Sequence, residues 1–294
     1  MLIIRGKDNH LRAFYNVCRH RAGPLATENG KCSVIQCRYH GWTYDLYGKL
    51  KGTPEFDGVE NFKKDNFGLI PVNLEIIENM IFICLEKPMM SASSVFSEIT
   101  ERIKPEKLTT KKFYTKVIYE LNCNWKVYVD NYLEGYHLPH VHPGLSRLLN
   151  YKQYTTETFE FHSLQYSPFN NVDNPYSGSE NGEAFYYFIF PNFMLNIVPG
   201  RLQTNHILPV SENKTKVIFD YYYDDIESEK AIKQINEDLQ YSDEIQKEDI
   251  NICQLVQKGL ESGAYYKGRI SVKRETGVYH YHNMLRKFYN LNEK

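Results

Sequence analysis

The sequence predicts an α+β fold in two domains, residues 1–104 and 105–294. In the first hundred residues, short apolar runs are separated by Gly, Pro and Asn, and no helical period persists before about residue 94. Beyond Pro105 the pattern changes to longer strand-like runs with helical segments between them. The 294 residues suffice for two domains of ordinary size. We therefore expect an all-β N-terminal domain, followed by a domain that combines an antiparallel sheet with helices.

The N-terminal domain is predicted from short strands and turn residues. The stretch Gly6-Lys7-Asp8-Asn9 is a favourable hairpin turn between two apolar runs. Strands are predicted at 2–4, 11–15, 34–35, 69–72 and 80–85. A helix over 94–103 is expected to link the two domains, with Pro105 at the boundary.

In the second domain, a strand at 113–120 leads into a helix over 125–136, and a polar stretch covers 167–183. Further strands are predicted at 185–190, 194–198, 202–208 and 216–223. A long helix from about 227 to 259 follows.

Charge and composition exclude several classes of function. The 35 Lys and Arg residues balance 36 Asp and Glu residues, so the chain lacks the basic surface of a nucleic-acid-binding protein. No apolar run reaches the roughly 18 residues of a membrane span, and the N-terminus does not resemble a signal peptide. Six cysteines in a chain of this length do not form a disulfide scaffold. We expect a cytoplasmic protein with neither nucleic-acid nor membrane partners.

Two short motifs offer one thiolate and one imidazole each: Cys18-x-His20 and Cys37-x-x-His40. Four such ligands hold either a tetrahedral zinc ion or a [2Fe–2S] cluster with two cysteines on one iron and two histidines on the other. Zinc fingers usually pair Cys with Cys and His with His, around a helix. Here the pairs are mixed and lie among predicted strands, which favours the cluster. A structural zinc site is the alternative.

A second group of ligands lies in DNYLEGYHLPHVH, residues 130–142. On a continuous helix, Asp130, Glu134 and His137 would share one face. His137 and His142 are expected to bind one metal ion if the helix breaks at Leu138-Pro139. Two histidines and one carboxylate leave coordination positions open, as in non-haem Fe(II) oxygenases.

Two further residues, His140 and Asp249, are candidate ligands of the same metal ion. His140 is a competing ligand, with a surface or pocket role as the expected alternative. Asp249 falls inside the apolar stripe of the long helix, whereas Glu248 lies at its edge. A carboxylate on a buried face needs a metal ion or a cationic partner. We therefore predict that Asp249 is the third metal ligand, and pairing with an arginine is the alternative.

The cysteine and histidine motifs, with their surroundings AFYNVCRHR and CRYHGWTYDLYGKL, resemble the Rieske domain of Rieske-type non-haem iron oxygenases. The resemblance implies one [2Fe–2S] cluster held by Cys18, His20, Cys37 and His40. Respiratory Rieske proteins carry an additional disulfide between these loops. Gly23 and Tyr39 occupy the corresponding positions here, which favours the oxygenase branch.

The resemblance extends over the second domain, which it implies to have a helix-grip (START-like) fold. It implies one mononuclear Fe(II) held by His137, His142 and Asp249. It also implies that Glu134 links an iron histidine to a cluster histidine, His40, of the next subunit in a homotrimer. Asp130 is expected to orient the histidine ligands.

The implied activity is oxygenation of a small molecule with O2. The electrons are expected from NAD(P)H through a separate flavin- or ferredoxin-type reductase, because the chain has no G-x-G-x-x-G motif. EGYHLPHVHPGL resembles the choline and carnitine monooxygenase branch, which implies a quaternary ammonium substrate. The alternatives are dihydroxylation of an aromatic ring and, in another class, an electron carrier without catalytic iron. Family members normally begin several dozen residues earlier, so we expect a shortened N-terminus.

Overall fold

The computed structural model describes residues 1–88, 90–170 and 182–290. Contacts divide the chain into two compact units, Met1–Thr100 and Glu101–Lys294. Most of the predicted polar stretch, residues 171–181, lies outside the described residues. Among the described residues, none of the helices has both the length and the apolar character that crossing a membrane requires.

The first unit is built from seven short strands, as the sequence predicts for an all-β domain. They are β1 (Leu2–Arg5), β2 (Leu11–Phe14), β3 (Ile35–Gln36), β4 (Thr43–Tyr44), β5 (Leu50–Gly52), β6 (Pro71–Ile77) and β7 (Met80–Cys84). One antiparallel sheet has the order β1-β2-β6-β7 and the other has the order β3-β4-β5. The buried rings of Phe14, Trp42 and Tyr44 lie in the core of this unit.

The predicted β1–β2 hairpin is confirmed. Its strands pair in antiparallel register from Leu2 opposite Phe14 to Arg5 opposite Leu11. At the turn, the Gly6 N–H donates to the carbonyl of His10 at 2.9 Å. Strands β4 and β5 were not predicted, because two or three residues are too few to show an alternating pattern.

The second unit is centred on a seven-stranded antiparallel sheet. Its strands are β8 (Lys112–Leu121), β9 (Thr155–Thr158), β10 (His162–Pro168), β11 (Glu183–Ile189), β12 (Phe193–Val198), β13 (Arg201–Ser211) and β14 (Lys214–Tyr223). The order is β8-β14-β13-β12-β11-β10-β9. Alternate residues of β14 are buried, which is the pattern of a strand with one face on a core.

The helices are α1 (Ala92–Arg102), α2 (Trp125–Tyr132), α3 (Leu138–Val141), α4 (Pro143–Leu148), α5 (Glu229–Glu261) and α6 (Thr276–Phe288). Helix α1 agrees with the predicted linking helix. The 33-residue helix α5 agrees with the predicted long helix, and it begins where the Ser228 hydroxyl accepts from the Ala231 N–H. Helices α2 and α5 pack against each other and contribute Tyr128, Val129 and Cys253 to the buried core of the unit.

The predicted helix over 125–136 is wrong in its C-terminal end. Helix α2 ends at Tyr132, so Asp130, Glu134 and His137 do not share one helical face. Beyond the helix end, Gly135 lets the chain pass close to Tyr154, because a Cβ atom there would lie 2.7 Å from the Tyr154 ring. The chain therefore leaves the helix before the two histidines are reached.

Pro139 has the opposite role to the one predicted. Instead of breaking a helix, it lies in the first turn of α3, where a proline needs no N–H donor. The short helices α3 and α4 place His137 and His142 at their N-caps, outside regular helix.

Candidate metal centres

The two cysteine-containing loops of the first unit have the same backbone design. In each loop the cysteine N–H donates to the carbonyl five residues later, and the cysteine carbonyl accepts from the N–H four residues later. The first bonds are Cys18–Gly23 and Cys37–Trp42, both 2.8 Å. The fourth residue after each cysteine has a positive φ, +58° at Ala22 and +72° at Gly41. The sequence spacing thus folds into two matching tight turns.

The four predicted cluster ligands are brought together at the tips of these turns. Cys18 and Cys37 are both buried, each 2% exposed. The His20 and His40 rings meet edge to face with centroids 4.7 Å apart, and the His20 ring stacks on Trp42 at 4.8 Å. Burial and the nearby His40 lower the pKa of His20, which favours the neutral imidazole that a metal ligand requires.

These loops fit a two-iron cluster better than a single zinc ion. His20 Nδ1 is buried and has no hydrogen-bond partner among the described residues, so a bound iron would satisfy it. The two cysteines lie in the buried core and the two imidazole rings meet edge to face, so the loops offer one pair of each donor type, which is how ligands divide over the two irons of a Rieske cluster.

Tyr44 is a neighbour of the cluster loops that sequence reasoning missed. Its hydroxyl lies 3.4 Å from Cys18 Sγ and accepts from the Arg19 N–H at 3.0 Å. Because that N–H supplies a proton to the oxygen, the hydroxyl hydrogen is free to donate to the sulfur. Burial and the Cys18 contact raise the pKa of Tyr44, so the phenol stays protonated.

The clamp of respiratory Rieske proteins has no counterpart here. A Cβ atom built on Gly23 would lie 3.4 Å from Tyr39 Cβ, close to the usual separation of about 3.8 Å in a disulfide. These two positions therefore lie where a disulfide would fit, but neither residue is a cysteine.

In the second unit, His137, His142 and Asp249 converge. One ligand atom from each lies within 4.8 Å of the others. The shared point is Asp249 Oδ1, which is 2.9 Å from His142 Nε2 and 3.8 Å from His137 Nε2. These two histidines and one carboxylate would occupy one face of a bound metal ion. Their donor chemistry fits Fe(II). His140 is exposed and lies outside the set.

Two carboxylates hold the imidazole rings in position. Glu134 Oε1 lies 2.6 Å from His137 Nδ1, and Glu248 Oε2 lies 2.6 Å from His142 Nδ1. In each ring the Nδ1–H faces the carboxylate, which leaves the Nε2 lone pair directed at the metal site. Burial lowers the pKa of His142, but the hydrogen bonds and charges of Asp249 and Glu248 outweigh it, so the net shift is upward.

The turn that follows α2 fixes the Glu134 side chain. Its Oε2 accepts from the backbone N–H groups of Tyr136 and His137, the second at 3.1 Å. These contacts hold one carboxylate oxygen, while the other contacts the His137 ring. Glu134 thus contacts His137 from a turn, and not from a helix that carries both residues.

The expected role of Asp130 does not agree with the structure. Its carboxylate bonds to His282 Nε2 at 2.9 and 3.0 Å, and no hydrogen bond to His137 or His142 is found for it among the described residues. Asp130 lies on α2 before the chain turns, so it faces α6 instead of the histidines. Glu248 takes the orienting role that was expected of Asp130.

Sequence reasoning also missed Asn131. Its Nδ2 donates to Asp249 Oδ1 at 2.6 Å, so it contacts the ligand carboxylate directly. Glu248 carried a weak signal, as the carboxylate next to Asp249 at the edge of the apolar stripe. Asn131 carried none, because its contact joins residues 118 positions apart.

A cavity of about 120 Å³ lies at this site, and His137, His142 and Asp249 are among its lining residues. Its aromatic walls are Tyr128, Tyr132, Tyr154, Tyr186, Phe219 and Tyr241. Its polar lining includes Gln165, Asn196, Arg201, Gln203, Asn205 and Gln246. The buried Arg201 pairs with Asp238 at 2.8 Å, which balances its charge.

Tyr186 of β11 is one of these walls. Tyr187 is fully buried on the other face of β11, because successive strand residues point in opposite directions. Phe193 packs its ring against His206, with centroids 4.7 Å apart.

A mixed cysteine and histidine loop pair, together with an open two-histidine, one-carboxylate site, is typical of Rieske-type non-haem iron oxygenases. The family model for the Rieske [2Fe-2S] domain matches residues 1–63. The model for the ring hydroxylating alpha subunit (catalytic domain) matches residues 108–291. The chain therefore belongs to the family of Rieske-type ring-hydroxylating oxygenase alpha subunits. Membership implies one Rieske cluster and one mononuclear iron.

Among individual proteins, the chain is similar to choline and carnitine monooxygenases. It is 35% identical to the chloroplastic choline monooxygenase of Arabidopsis thaliana, over 97% of this chain and 70% of that protein. It is 33% identical to the carnitine monooxygenase oxygenase subunit of Acinetobacter pittii (strain PHEA-2), over 95% of this chain and 77% of that protein. The chain spans 64% of the choline monooxygenase of Beta vulgaris.

A solved structure with a similar fold is that of a quaternary ammonium Rieske monooxygenase, described for its insights into carnitine oxidation by gut microbiota and inter-subunit electron transfer. Its TM-score is 0.84 at 29% identity, and the match covers 97% of this chain and 81% of that chain. This agreement confirms the predicted fold class, an N-terminal Rieske domain followed by an antiparallel sheet with helices.

Proposed function

We propose that this chain is the oxygenase component of a monooxygenase system and that it hydroxylates a small quaternary ammonium compound. The observation that carries the proposal is the convergence of His137, His142 and Asp249 at a tyrosine-walled cavity. The relatives with choline or carnitine as named substrates support the same choice.

The aromatic walls suit a quaternary ammonium group. Such a cation cannot donate a hydrogen bond, so it is bound through the faces of aromatic rings and through its own apolar surface. Burial raises the pKa of Tyr186 to about 12, so its ring stays neutral and presents a phenol face at physiological pH. The charges of Glu134 and Asp249 face the same cavity, but a metal dication would balance them.

The proposal assigns the cluster to Cys18, His20, Cys37 and His40 and the iron to His137, His142 and Asp249. When bound, these groups supply electron transfer and O2 activation, in a reaction that consumes one O2, two electrons and two protons and yields hydroxylated substrate and water. The role of the protein is to hold the ligands in place. The hydrogen bond of Glu134 to His137 Nδ1 fixes that ring and its protonation.

We extend the proposal to the assembly. Glu134 would link His137 of one subunit to His40 of the next in a homotrimer, and a separate NAD(P)H-dependent reductase would supply the electrons. Support comes from the position of Glu134 on His137 and from the inter-subunit electron transfer described for the structural relative. Cytoplasmic placement is part of the same proposal.

Dihydroxylation of an aromatic ring is less well supported. A flat hydrocarbon favours a mainly apolar lining, whereas this cavity also carries the amide groups of Gln165, Asn196 and Gln203. An electron carrier would have no need of a second metal site.

The test is oxygen consumption by the purified protein with NADH and a reductase. Choline or L-carnitine is expected to couple O2 uptake to NADH oxidation, and Asp249→Ala is expected to abolish coupling while cluster reduction persists. Coupling by naphthalene alone would indicate a ring dihydroxylase instead. Reversible cluster reduction without any coupling would indicate a carrier.

A further inference from the structure

The polar groups that line the cavity are largely hydrogen-bonded to the protein. Gln165 Oε1 accepts from the Tyr154 hydroxyl at 2.8 Å, and Asn196 Oδ1 accepts from the Tyr132 hydroxyl at 2.6 Å. Burial raises the pKa values of Tyr132 and Tyr154 well above their usual range, so both phenols are donors. These pairs fix the cavity walls and leave little capacity for a ligand.

Gln246 differs from its neighbours. It is 2% exposed, and its Oε1 accepts from the Tyr128 hydroxyl at 2.8 Å. Burial raises the pKa of Tyr128 well above its usual range, so the phenol remains a donor. The amide nitrogen, Nε2, is buried with no hydrogen-bond partner among the described residues. A buried amide group without a partner is unfavourable, so a bound ligand that supplies the partner would gain affinity.

The position of Gln246 places its binding partner, an atom of the substrate, close to the metal site. Gln246 lies three residues before Asp249 on α5, so both side chains share one face, about 4.5 Å apart along the helix axis. Both residues line the cavity. A substrate group that bonds to Gln246 therefore lies near the ligands of the metal site.

A hydroxyl group is the ligand chemistry that fits best. It accepts from the Nε2 hydrogens in the orientation described, and it would donate to the carbonyl oxygen if the amide were turned over. A methyl group of similar size would leave the amide without a partner in either orientation. The amide and the hydroxyl are both neutral, so this hydrogen bond needs no additional charged residue in the cavity.

We propose that Gln246 is a specificity-determining residue that hydrogen-bonds a hydroxyl group of the substrate. This inference rests on the proposed function and narrows it to hydroxylated quaternary ammonium compounds whose hydroxyl lies near the carbon to be oxidised. Tyr128 supports the role by holding the carbonyl end of the amide.

The test compares binding of choline with that of propyltrimethylammonium, in which a methyl group replaces the hydroxyl. The reduced holoenzyme is titrated without O2, so that no turnover occurs. The wild-type protein is expected to bind choline about 5- to 10-fold more tightly, the range of one neutral hydrogen bond. Gln246→Met is expected to raise the Kd for choline by that factor and to leave the Kd for propyltrimethylammonium unchanged.

The matched control is Gln234→Met, an exposed glutamine on the same helix, which is expected to keep the wild-type preference. Tyr128→Phe frees the amide to rotate and is expected to reduce the preference partially. An unchanged preference in Gln246→Met would overturn the inference. So would a wild-type protein that binds both cations equally, a result that needs no variant to fold. If the wild-type protein binds neither cation, the proposed function itself fails.

Discussion

Replacing Glu248 with glutamine is expected to weaken iron binding although no metal ligand is changed. Glu248 Oε2 lies 2.6 Å from His142 Nδ1 and holds that ring with Nε2 facing Asp249. A glutamine keeps an acceptor oxygen of the same reach but loses the negative charge. The imidazole then becomes a weaker donor to the metal and is less firmly oriented.

The magnitude follows from the surroundings of the pair. Loss of a partner behind a metal-ligating histidine typically costs about 10- to 100-fold in metal affinity. The Glu248 side chain is 43% exposed, so solvent screens its charge and Glu248→Gln falls near the lower end, about 10-fold. Glu248→Ala leaves the Nδ1–H of the 1%-exposed His142 without its acceptor, so we expect a loss nearer 100-fold.

The assay is an anaerobic titration of the protein with Fe(II) against a competing chelator. Glu244→Gln is the control, because it removes the same charge from α5 one turn earlier, at an exposed residue that bonds to Gln240. The control is expected to bind iron as the wild-type protein does. Equal losses in both variants would show a general charge effect and refute the positioning role of Glu248.

Three further outcomes are expected. Tyr44→Phe removes the hydroxyl beside Cys18 Sγ, and the cluster reduction potential should fall by tens of millivolts in a spectroelectrochemical titration, because that bond favours the more negative, reduced state. Gly277→Ala would push a Cβ atom into the Leu133 carbonyl, and its free energy of unfolding should fall by about 1–3 kcal/mol. Burial lowers the pKa of His280 below its ordinary 6.5, so His280→Gln should flatten the decline of Tm below pH 6.5.

The sign of the His280 effect follows from proton binding. Around and below pH 6.5 the unfolded chain binds a proton at His280 that the folded chain does not, so stability falls as the pH falls towards the lowered folded pKa. An equally steep decline in the variant would contradict this account.

Gly259→Ala is the control for Gly277→Ala, because no atom lies within 4 Å of its added Cβ, and it should leave stability unchanged or slightly higher. An unaltered potential in Tyr44→Phe would show that the hydroxyl does not act on the cluster.

Features that depend on neighbouring residues were predictable from the sequence. The hairpin at Gly6–Asn9 has its own turn chemistry, and the two cysteine loops are held by hydrogen bonds within five residues. Helix α6 could have been predicted as well, since Val278, Tyr281 and Met284 recur at helical spacing and are all buried.

Features that depend on distant contacts were not predictable. Helix α2 ends before Glu134, and the chain just beyond it packs at Gly135 against Tyr154, a contact that the local pattern of residues does not indicate. The contact of Glu248 with His142 joins residues 106 positions apart, and neither residue type indicates its partner. Asp130 satisfied the local pattern of a helper carboxylate, but its actual partner, His282, lies 152 residues away.

The most direct test of the central claim is the iron content and EPR spectrum of the anaerobically purified, dithionite-reduced protein, measured alongside Asp249→Ala. The wild-type protein is expected to hold about three irons per chain and to show a Rieske signal. Asp249→Ala is expected to hold about two, with the Rieske signal unchanged. Zinc in place of iron with no Rieske signal, or three irons retained in the variant, would contradict the assignment of the two centres.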